Sequence, residues 1–490
     1  MRNSCVRLHG TCSRRRHRRG LSRYAFLGTF ALLGICSACS GCSGLPSLQN
    51  QASLDQAMFQ EQVPIVIAEF GIGTSTPKIS VSLLKKRWRK AYTELNFLAN
   101  LEQAVTGNPL IDGNQLTLLH DGPQTMAAMI KAIQEAKHHI HLETYIFDQD
   151  PLGIAFADVL IERQQAGIPV RIIYDSIGTV GTPQAFFDRL SAAGVELLEF
   201  HPVNPLQSAH QRQAWSPNQR DHRKLLVVDG DIGFTGGINI SNSYATSSLF
   251  RSKRARSTTV GWRDTHLQIR GPAVAAIQWV FLDTWLEEKE LNFEQLPDAQ
   301  YFPKLAYAGP HLVRVLASAP EENQAIYQAY LSAIQQAQHS IHITCAYFVP
   351  DQAILTALMA AVKRGVEVKL ILPGANENDF VSQASKSYFS EMLSAGVQLF
   401  QMNVAVLHAK TAVIDGLWST VGSSNIDTRS FLHNREINVM VFSPEFGLEM
   451  ENAFTEDLKS STRLSKETWE ERSMMEKIKQ WMARRFEYWL

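Results

Sequence analysis

The residues of this chain best suited to chemistry lie in two eight-residue stretches. They are His222-Arg-Lys-Leu-Leu-Val-Val-Asp229 and His408-Ala-Lys-Thr-Ala-Val-Ile-Asp415, and both read H-x-K-x-x-x-x-D. The first continues into Gly-Gly-Ile-Asn and the second into Gly-Ser-Ser-Asn, which is a second shared signature. A chance match to the eight-residue pattern has an expectation of roughly a few per cent in such a chain. Two matches with the same continuation therefore indicate a duplicated functional unit.

The spacing of histidine and lysine predicts that the two side chains of each motif project together. Residues i and i+2 of a strand face the same side of a sheet, so His222 projects with Lys224, and His408 with Lys410. If the two pairs converge, one imidazole can attack phosphorus and form a phosphohistidine. The other imidazole can protonate the leaving oxygen and then deprotonate the incoming hydroxyl. The lysines would neutralise charge on the phosphate oxygens.

The two aspartates complete this candidate catalytic set, but their expected role is mainly structural. Asp229 and Asp415 have the opposite parity to the histidines, and each precedes a glycine. The Asp-Gly pair is typical of turns. We therefore expect both aspartates to shape turns.

The second signature supplies candidates for binding the substrate phosphate. These are Gly237 and Asn239 in the first copy and Ser423 and Asn425 in the second. Glycine pairs and asparagines that follow a strand can leave backbone and amide donors free for an anion.

A nucleophilic histidine also needs a carboxylate that fixes its tautomer. Beyond each motif, Trp-Arg-Asp264-Thr-His aligns with Asn-Arg-Glu436-Ile-Asn, so Asp264 and Glu436 are the candidate histidine-orienting residues. The chemistry needs no cofactor, and no His/Cys/Asp/Glu spacing in the sequence matches a metal cage. Neither a metal nor a cofactor is expected.

Internal repetition predicts the elements that position these residues. The segment 132–142 returns as 333–343, 165–173 returns as 363–371, and 191–197 returns as 393–399. In each pair the end of a helix leads into an apolar, β-branched strand. Helices and strands that alternate in this way predict an α/β fold in which helices cover the sheets, and the shared order of the copies indicates duplication.

The copies differ in one place beside the first motif. Gly194 lies 28 residues before His222, whereas Gly396 lies 12 residues before His408. The extra segment, around Pro202–Asp221, is polar and predicts a loop that covers or shapes the site. A second predicted loop, near Ser243–Gly261, carries four basic residues that could meet anionic headgroups: Arg251, Lys253, Arg254 and Arg256.

The balanced overall charge hides an uneven distribution. Removing the eight arginines of residues 1–45 from the 47 basic residues leaves 39 against 47 acidic residues, a net charge of −8. Nucleic-acid binders depend on lysines and arginines to displace counterions, so a nucleic-acid partner is not expected.

The N-terminus predicts export to a membrane. Residues 1–45 hold an arginine-rich start, an apolar run from Tyr24 to Cys36 and small residues before Cys39 and Cys42. The pattern fits a signal peptide with a possible lipoprotein cleavage site, and it also fits an uncleaved anchor. Either form keeps the arginines cytoplasmic. The expected location is the bacterial cell envelope, with the protein membrane-associated and its catalytic body on the non-cytoplasmic side.

Two further segments have a composition that suits a membrane surface. Within residues 46–107, Leu83-Leu-Lys-Lys-Arg-Trp-Arg-Lys90 places basic residues beside a tryptophan, and a solvated helix face is the alternative. Within residues 461–490, apolar side chains from Trp469 to Leu490 recur at helical intervals among lysines and arginines. The second segment is predicted to be an amphipathic helix that lies on a membrane or packs on the body.

The duplicated motifs resemble those of the phospholipase D superfamily over about residues 108–460. Within it, the chain is similar to bacterial cardiolipin synthases, through His141-Leu-Glu-Thr-Tyr-Ile-Phe147, Ala346-Tyr-Phe-Val-Pro-Asp351, the segment 421–431 and the ending Tyr-Trp-Leu490. The resemblance implies a duplicated phospholipase D fold, with two β-sheet lobes flanked by helices and one active site at their interface. The lobes would span residues 108–300 and 301–460.

The resemblance also implies phosphatidyl transfer through a phosphohistidine. His222 is expected to be the nucleophile and His408 the acid and base, and the near-symmetry leaves the reverse assignment open. Phosphatidylglycerol and a second phospholipid would give cardiolipin. The alternatives are phospholipase D-type hydrolysis, a superfamily nuclease, and a non-catalytic membrane protein. The copies differ where Gly237 matches Ser423 and where Asp264 matches Glu436.

Overall fold

The computed structural model of the protein describes residues 64–67, 77–204, 216–245, 261–296, 301–304, 306–320, 324–374 and 378–490. The statements below concern these ranges. The predicted signal or anchor of residues 1–45 lies outside them, as do residues 205–215 and 246–260 of the two predicted loops.

The strands and helices alternate along the chain as the repeats predict. The strands are β1 Val66–Ile67, β2 Leu110–Leu119, β3 Ile140–Thr144, β4 Val170–Asp175, β5 Glu196–Phe200, β6 Arg220–Asp221, β7 Leu225–Val228, β8 Ile232–Gly236, β9 Trp262–Arg263, β10 His266–Arg270, β11 His311–Ser318, β12 Ser340–Cys345, β13 Glu367–Pro373, β14 Gln398–Met402, β15 Val406–Leu407, β16 Lys410–Ile414, β17 Trp418–Gly422, β18 Asn434–Phe442 and β19 Ser461–Arg463. The α-helices are α1 Pro77–Trp88, α2 Tyr92–Thr106, α3 Gly122–Gln134, α4 Pro151–Gln165, α5 Gln184–Ala192, α6 Ala273–Glu288, α7 Ala325–Gln336, α8 Gln352–Lys363, α9 Asp379–Lys386, α10 Phe389–Ala395, α11 Pro444–Lys459, α12 Lys466–Glu470 and α13 Met474–Arg484.

The two halves build sheets with the same strand order. The first sheet runs β2–β10–β8–β7–β3–β4–β5. The second runs β11–β18–β17–β16–β12–β13–β14, and β19 extends its far edge. Strands β2 and β11 pair with each other and join the two sheets. The predicted duplication of an α/β lobe is therefore confirmed.

The hydrophobic core has layers that follow from this duplication. Helices α6 and α11 share one buried cluster with side chains from both sheets, such as Ile269 and Val439, so they lie between the sheets. The outer face of the first sheet packs against α3, α4 and α5. The outer face of the second sheet packs against α2, α7, α8 and α10. Helices thus cover both faces of each sheet.

Glycines end the repeated helices where the sequence places them. Gly167 and Gly365 have φ values of 85° and 92°, and Gly194 and Gly396 have values of 93° and 96°. This left-handed conformation is easily adopted only by glycine, and it turns the chain from each helix into the next strand.

The basic helix α1 does not offer its tryptophan to a membrane. Trp88 is buried, and its indole Nε1 donates a hydrogen bond to the carbonyl of Phe442 at 2.9 Å. Lys85 and Lys86 on the same helix remain exposed. Of the two interpretations of this segment, a membrane surface that includes Trp88 does not fit, because the indole fills the core beside the second sheet, whereas the exposed lysines fit a solvated helix face. Among the helices described, none combines the length and the apolar character that crossing a bilayer requires.

The predicted C-terminal helix is shorter than its hydrophobic pattern suggests. Trp469 belongs to the short helix α12, and α13 begins only after Ser473. The Ser473 hydroxyl accepts the amide of Glu476 at 3.2 Å, and the Glu476 carboxylate accepts the amide of Ser473 at 3.0 Å. This capping box starts a new helix and interrupts the periodic pattern.

Candidate active site

The backbone carries each motif histidine to the opposite half of the molecule. His222 follows β6, which pairs in parallel with the start of β18, and its amide donates to the carbonyl of Arg435 at 3.0 Å. His408 follows β15, which pairs in parallel with β9, and its amide donates to the carbonyl of Arg263 at 2.8 Å. Both histidines therefore lie at the seam between the two lobes.

The histidine-orienting carboxylates cross that seam. Nδ1 of His222 lies 3.0 Å from Oε1 and 3.1 Å from Oε2 of Glu436, which belongs to the second half. Nδ1 of His408 lies 2.7 Å from Oδ2 of Asp264, which belongs to the first half. The sequence places the two carboxylates at equivalent positions of the repeat, but it does not reveal that each one contacts the histidine of the other copy.

Each carboxylate is itself held by further hydrogen bonds. Glu436 accepts the Ser423 hydroxyl at 2.5 Å and the Asn434 side-chain amide at 3.2 Å. Asp264 accepts the backbone amide of Thr265 at 2.7 Å. These contacts fix the orientation of each carboxylate toward its histidine. Because Nδ1 is committed to a carboxylate, Nε2 is the nitrogen of each ring that is left for chemistry.

Burial disfavours the charged form of both imidazoles. Burial lowers the pKa of His222, and it lowers the pKa of His408 to about 3 with the help of Lys410. Burial alone would raise the pKa of Glu436, but the attraction of His222 and Lys224 brings it to about 2. Each imidazole therefore faces a carboxylate, and in the His222 pair that carboxylate is held ionised.

The two lysines flank the histidines and are buried with them. Nζ of Lys410 donates to the carbonyl of His408 at 2.5 Å, and Nζ of Lys224 donates in the same way to the carbonyl of His222. Burial lowers the pKa of Lys224 to about 7 and also lowers that of Lys410. Two buried ammonium groups repel each other, and an anion placed between them would relieve that repulsion.

Binding of an anion at this site is expected to be accompanied by proton uptake. At pH 8 a large share of Lys224 is neutral in the empty protein, and a bound phosphate favours its ammonium form. Titration of inorganic phosphate into the protein by calorimetry, in buffers of different ionisation enthalpy, should show uptake of up to about one proton per site. Because the pKa of Lys224 is lowered, phosphate affinity should weaken as the pH rises above about 7. Lys224→Met should remove most of the uptake, and equal enthalpies in all buffers would contradict the expectation.

The second signature offers fewer free hydrogen-bond donors to the site than the sequence predicts. The amide of Gly237 donates to the carbonyl of Thr265 at 3.0 Å, and the amide of Ser423 donates to the carbonyl of Ile437 at 2.9 Å. The Ser423 hydroxyl donates to Glu436. The prediction that Gly237 and Ser423 present free donors to a phosphate is therefore wrong, because the sheet ladder and the orienting carboxylate use those groups.

The two positions at which the copies differ, Gly237 against Ser423 and Asp264 against Glu436, are in contact within each copy, so the two differences are coupled. A Cβ built on Gly237 would fall on the carboxylate of Asp264. In the second copy the longer Glu436 leaves room for Ser423, whose hydroxyl it accepts. A short aspartate therefore requires glycine opposite it, whereas a glutamate accommodates serine.

Gly237→Ser is accordingly expected to lower activity about tenfold or more, because the new side chain displaces the carboxylate that orients His408. The double variant Gly237→Ser with Asp264→Glu should recover most of the loss, since it recreates the pairing of the second copy. A double-mutant cycle on turnover measures this coupling. Gly181→Ser is the matched control, because a Cβ at Gly181 meets nothing. Losses that simply add would contradict the coupling.

Backbone amides hold both asparagine side chains, and Asn239 is linked to His408 through the Tyr244 hydroxyl. Oδ1 of Asn239 accepts the amide of Ile146 at 3.2 Å, and Oδ1 of Asn425 accepts the amide of Tyr347 at 3.3 Å. These bonds occupy the carboxamide oxygen of each asparagine, so the amino group is the part of the side chain that is left to donate. The Asn239 amino group donates to the Tyr244 hydroxyl at 2.9 Å.

The motif aspartates contact backbone. The Asp229 carboxylate accepts the amides of residues 137–139, and the Asp415 carboxylate accepts those of residues 338–340. Their φ values are 57° and 54°, and the glycines that follow also have positive φ, as type I′ turns require. Both aspartates lie at the end of the strand away from the histidine. Their inclusion in the candidate catalytic set is corrected to a role in shaping the turn.

Three aromatic residues near the histidines are absent from the sequence prediction. The Tyr145 ring lies 5.1 Å from that of His222, and the Trp262 ring lies 5.2 Å from that of His408. The Tyr244 hydroxyl lies 3.2 Å from Nδ1 of His408. Comparison of the copies gives no signal for Tyr145, because the repeat aligns it with Ala346.

Comparison with known proteins agrees with this geometry. Residues 129–249 and 330–458 match the family described as cardiolipin synthase, PLD-like domain. Cardiolipin synthase 1 of Bacillus cereus is 34% identical over 78% of this chain and 74% of its own length. The cardiolipin synthase of Geobacillus thermodenitrificans is 34% identical over 79% of this chain and 74% of its own.

A solved structure shares the fold at low sequence identity. The crystal structure of a phosphatidylserine synthase from Haemophilus influenzae superimposes with a TM-score of 0.59 at 14% identity, covering 79% of this chain and 97% of that one. The duplicated motifs, the paired lobes and the sequence matches together show that this chain belongs to the PLD-like cardiolipin synthase family.

Proposed function

We propose that the protein is a phosphatidyltransferase that makes cardiolipin from phosphatidylglycerol and a second phospholipid. His222 serves as the nucleophile, and His408 serves as the acid and base. The observation that carries the proposed chemistry is the crossed pairing of His222 with Glu436 and of His408 with Asp264, and the choice of His222 as the nucleophile follows the resemblance to the phospholipase D superfamily. The crossed pairing engages Nδ1 of each histidine with a carboxylate. Nε2 of each ring is therefore left for chemistry at the seam between the lobes.

In the first step, the Nε2 lone pair of His222 attacks the phosphorus of phosphatidylglycerol. A P–N bond forms, the P–O bond to the headgroup breaks, and His408 gives a proton to the departing glycerol oxygen. The anionic phosphodiester offsets the repulsion of Lys224 and Lys410, so its arrival favours protonated His408.

In the second step, His408 removes a proton from a headgroup hydroxyl of a second phosphatidylglycerol. The resulting oxygen attacks phosphorus, the P–N bond breaks, and its electron pair returns to His222. The products are cardiolipin and glycerol. The two lysines and the amino groups of Asn239 and Asn425 stabilise the charge on the equatorial oxygens.

Incubation of the purified protein with labelled phosphatidylglycerol tests this function. Cardiolipin with an equal amount of glycerol is the expected result. Phosphatidic acid without cardiolipin would instead indicate a phospholipase D-type hydrolase, in which water takes the place of the second lipid. Cleavage of DNA without lipid turnover would indicate a nuclease, which the net charge of −8 over residues 46–490 disfavours.

The proposal includes a place at a bacterial membrane. The arginine-rich residues 1–45 would stay cytoplasmic and hold the catalytic body on the non-cytoplasmic side of the membrane, as a lipoprotein signal or as an anchor. Protease treatment of intact spheroplasts is expected to digest the body. Protection until the membrane is opened would contradict this orientation.

A further inference from the structure

The C-terminal segment presents a stripe of large apolar side chains to solvent. Its seven members are 44% to 70% exposed: Met474, Met475, Ile478, Trp481, Met482, Phe486 and Trp489. Within α13, residues 474, 478, 481 and 482 follow the helical period and therefore share one face. Contiguous exposed patches of this kind mark interaction surfaces.

The opposite face of α13 is fixed to the body. Gln480 and Ala483 are buried, and the Arg484 guanidinium lies 4.2 Å from the centre of the Tyr388 ring. The Tyr388 hydroxyl also donates to Glu487 just beyond the helix. Because this packing holds the opposite face of α13 against the body, the folded protein turns the apolar stripe toward solvent.

Basic side chains flank the stripe. At 100° per residue, Lys477 and Lys479 lie on either side of the face centred near Ile478. Arg485 extends from the same face, and its guanidinium lies 5.0 Å from the centre of the Trp481 ring. Helices that lie in the interface of an anionic bilayer have this arrangement, with apolar residues and tryptophan facing the acyl chains and lysines reaching the headgroups.

The stripe is joined to the rim of the active site. The amide of Arg429 donates to the carbonyl of Leu490 at 2.7 Å, and its guanidinium donates to the carbonyl of Trp489 and to Oδ1 of Asn218, each at 3.0 Å. Arg429 follows Asn425 by four residues, and Asn218 precedes His222 by four. The same arginine therefore holds the end of the stripe and the segment that leads into the first histidine.

We propose that this stripe inserts into the surface of a bilayer that contains anionic phospholipid and sets the mouth of the active site against that surface. Lipid substrates then reach the histidines from the bilayer without crossing water. The delivery of substrate rests on the proposed function, whereas the insertion does not. A second copy of the chain is a poorer occupant, because a symmetric pair would bring the basic residues of one stripe against those of the other.

A second exposed aromatic cluster provides an internal comparison. Trp279, Phe293 and Phe302 lie with ring centres 6.2 to 6.4 Å apart and are each more than 40% exposed. Asp283, one turn from Trp279, is exposed, and Glu294 adjoins Phe293. Acidic neighbours do not suit an anionic bilayer, so this cluster should stay in water.

Fluorescence quenching in vesicles tests the insertion. The full chain is reconstituted in phosphatidylcholine and phosphatidylglycerol vesicles with or without bromine on the acyl chains. The quenching of one tryptophan is obtained as the difference in fluorescence quenching between the wild type and the variant that lacks that tryptophan, Trp481→Phe or Trp279→Phe. Quenching of Trp481 that is at least about threefold stronger than that of Trp279 is expected. Unquenched Trp481, equal quenching of both, or cross-linking of two copies through the stripe would overturn the proposal.

Turnover tests the delivery of substrate. Ile478→Gln, Trp481→Gln and Met482→Gln combined should lower turnover of vesicle phosphatidylglycerol about tenfold. The same variant should keep wild-type turnover of a dispersed short-chain phosphatidylglycerol. Ile154→Gln, Val180→Gln and Leu448→Gln are the matched control, since these side chains are also exposed. Equal losses on both substrates would overturn the delivery role. No turnover by the wild type would overturn the proposed function. The quenching result would still test whether the stripe inserts into the bilayer.

Discussion

Replacing His222 by alanine is expected to lower phosphatidyl transfer by about 10⁴-fold or more, because no other group would attack phosphorus. His408→Ala should cause a comparable loss, since both the leaving glycerol and the incoming hydroxyl depend on it for proton transfer. Turnover of labelled phosphatidylglycerol measures both effects.

The two losses should differ when the leaving group no longer needs a proton. With a phosphatidyl ester of p-nitrophenol, His408→Ala should release about one nitrophenol per site and then stop, because only the second step still needs a base. His222→Ala should release none. His342→Ala is a suitable control, since His342 is as buried as His222 at 9% and its ring nitrogens contact Glu451 and Glu367 outside the site. A burst from His222→Ala would contradict the assignment of the nucleophile.

Removing the charge of a crossed carboxylate should have the second largest effect. In Asp264→Asn, the backbone amide of Thr265 still requires an oxygen acceptor, so the new amino group must face Nδ1 of His408. That arrangement favours the tautomer whose proton lies on Nε2. Glu436→Gln places a similar conflict on His222, because Glu436 already accepts the Ser423 hydroxyl and the Asn434 amide.

Both carboxamide variants are expected to lower kcat by about 10²- to 10⁴-fold with little change in KM, because they alter the histidine tautomer and leave the lysines in place. The pH profile gives an independent readout. Glu436 is ionised above a pKa of about 2, and its charge favours the imidazolium form of His222. Glu436→Gln should therefore shift the acidic limb of the profile to lower pH, and a shift to higher pH would contradict the crossed pairing.

Much of the fold can be predicted from the sequence because the same order of helix ends and strands occurs in both copies of the repeat. Glycines at 167 and 365, and at 194 and 396, end helices at equivalent points, and the apolar runs after them form equivalent strands. The spacing within each motif predicts that a histidine projects with its own lysine, and the meeting of the two motifs follows from the resemblance to the phospholipase D superfamily. The burial of Trp88 cannot be predicted in this way, because a local pattern of basic and aromatic residues does not tell whether the ring enters the core.

The details of the site depend on contacts between distant segments. The alignment of Asp264 with Glu436 shows that they are equivalent but not that the lobes exchange them. Gly237 was expected to offer its amide to a phosphate, but strand pairing had already used that amide. Tyr244 and Trp262 approach His408 across the lobe interface, and a periodic pattern within one segment carries no information about such contacts.

The proposed mechanism requires one composite site that forms a covalent intermediate on His222. Quenching His408→Ala after the nitrophenyl ester burst and locating the phosphatidyl group by peptide mass spectrometry tests this requirement. We expect the modification on the peptide that contains His222, and none on the peptide that contains residue 408. A phosphatidyl group on any other residue, or a burst without covalent label, would contradict the account.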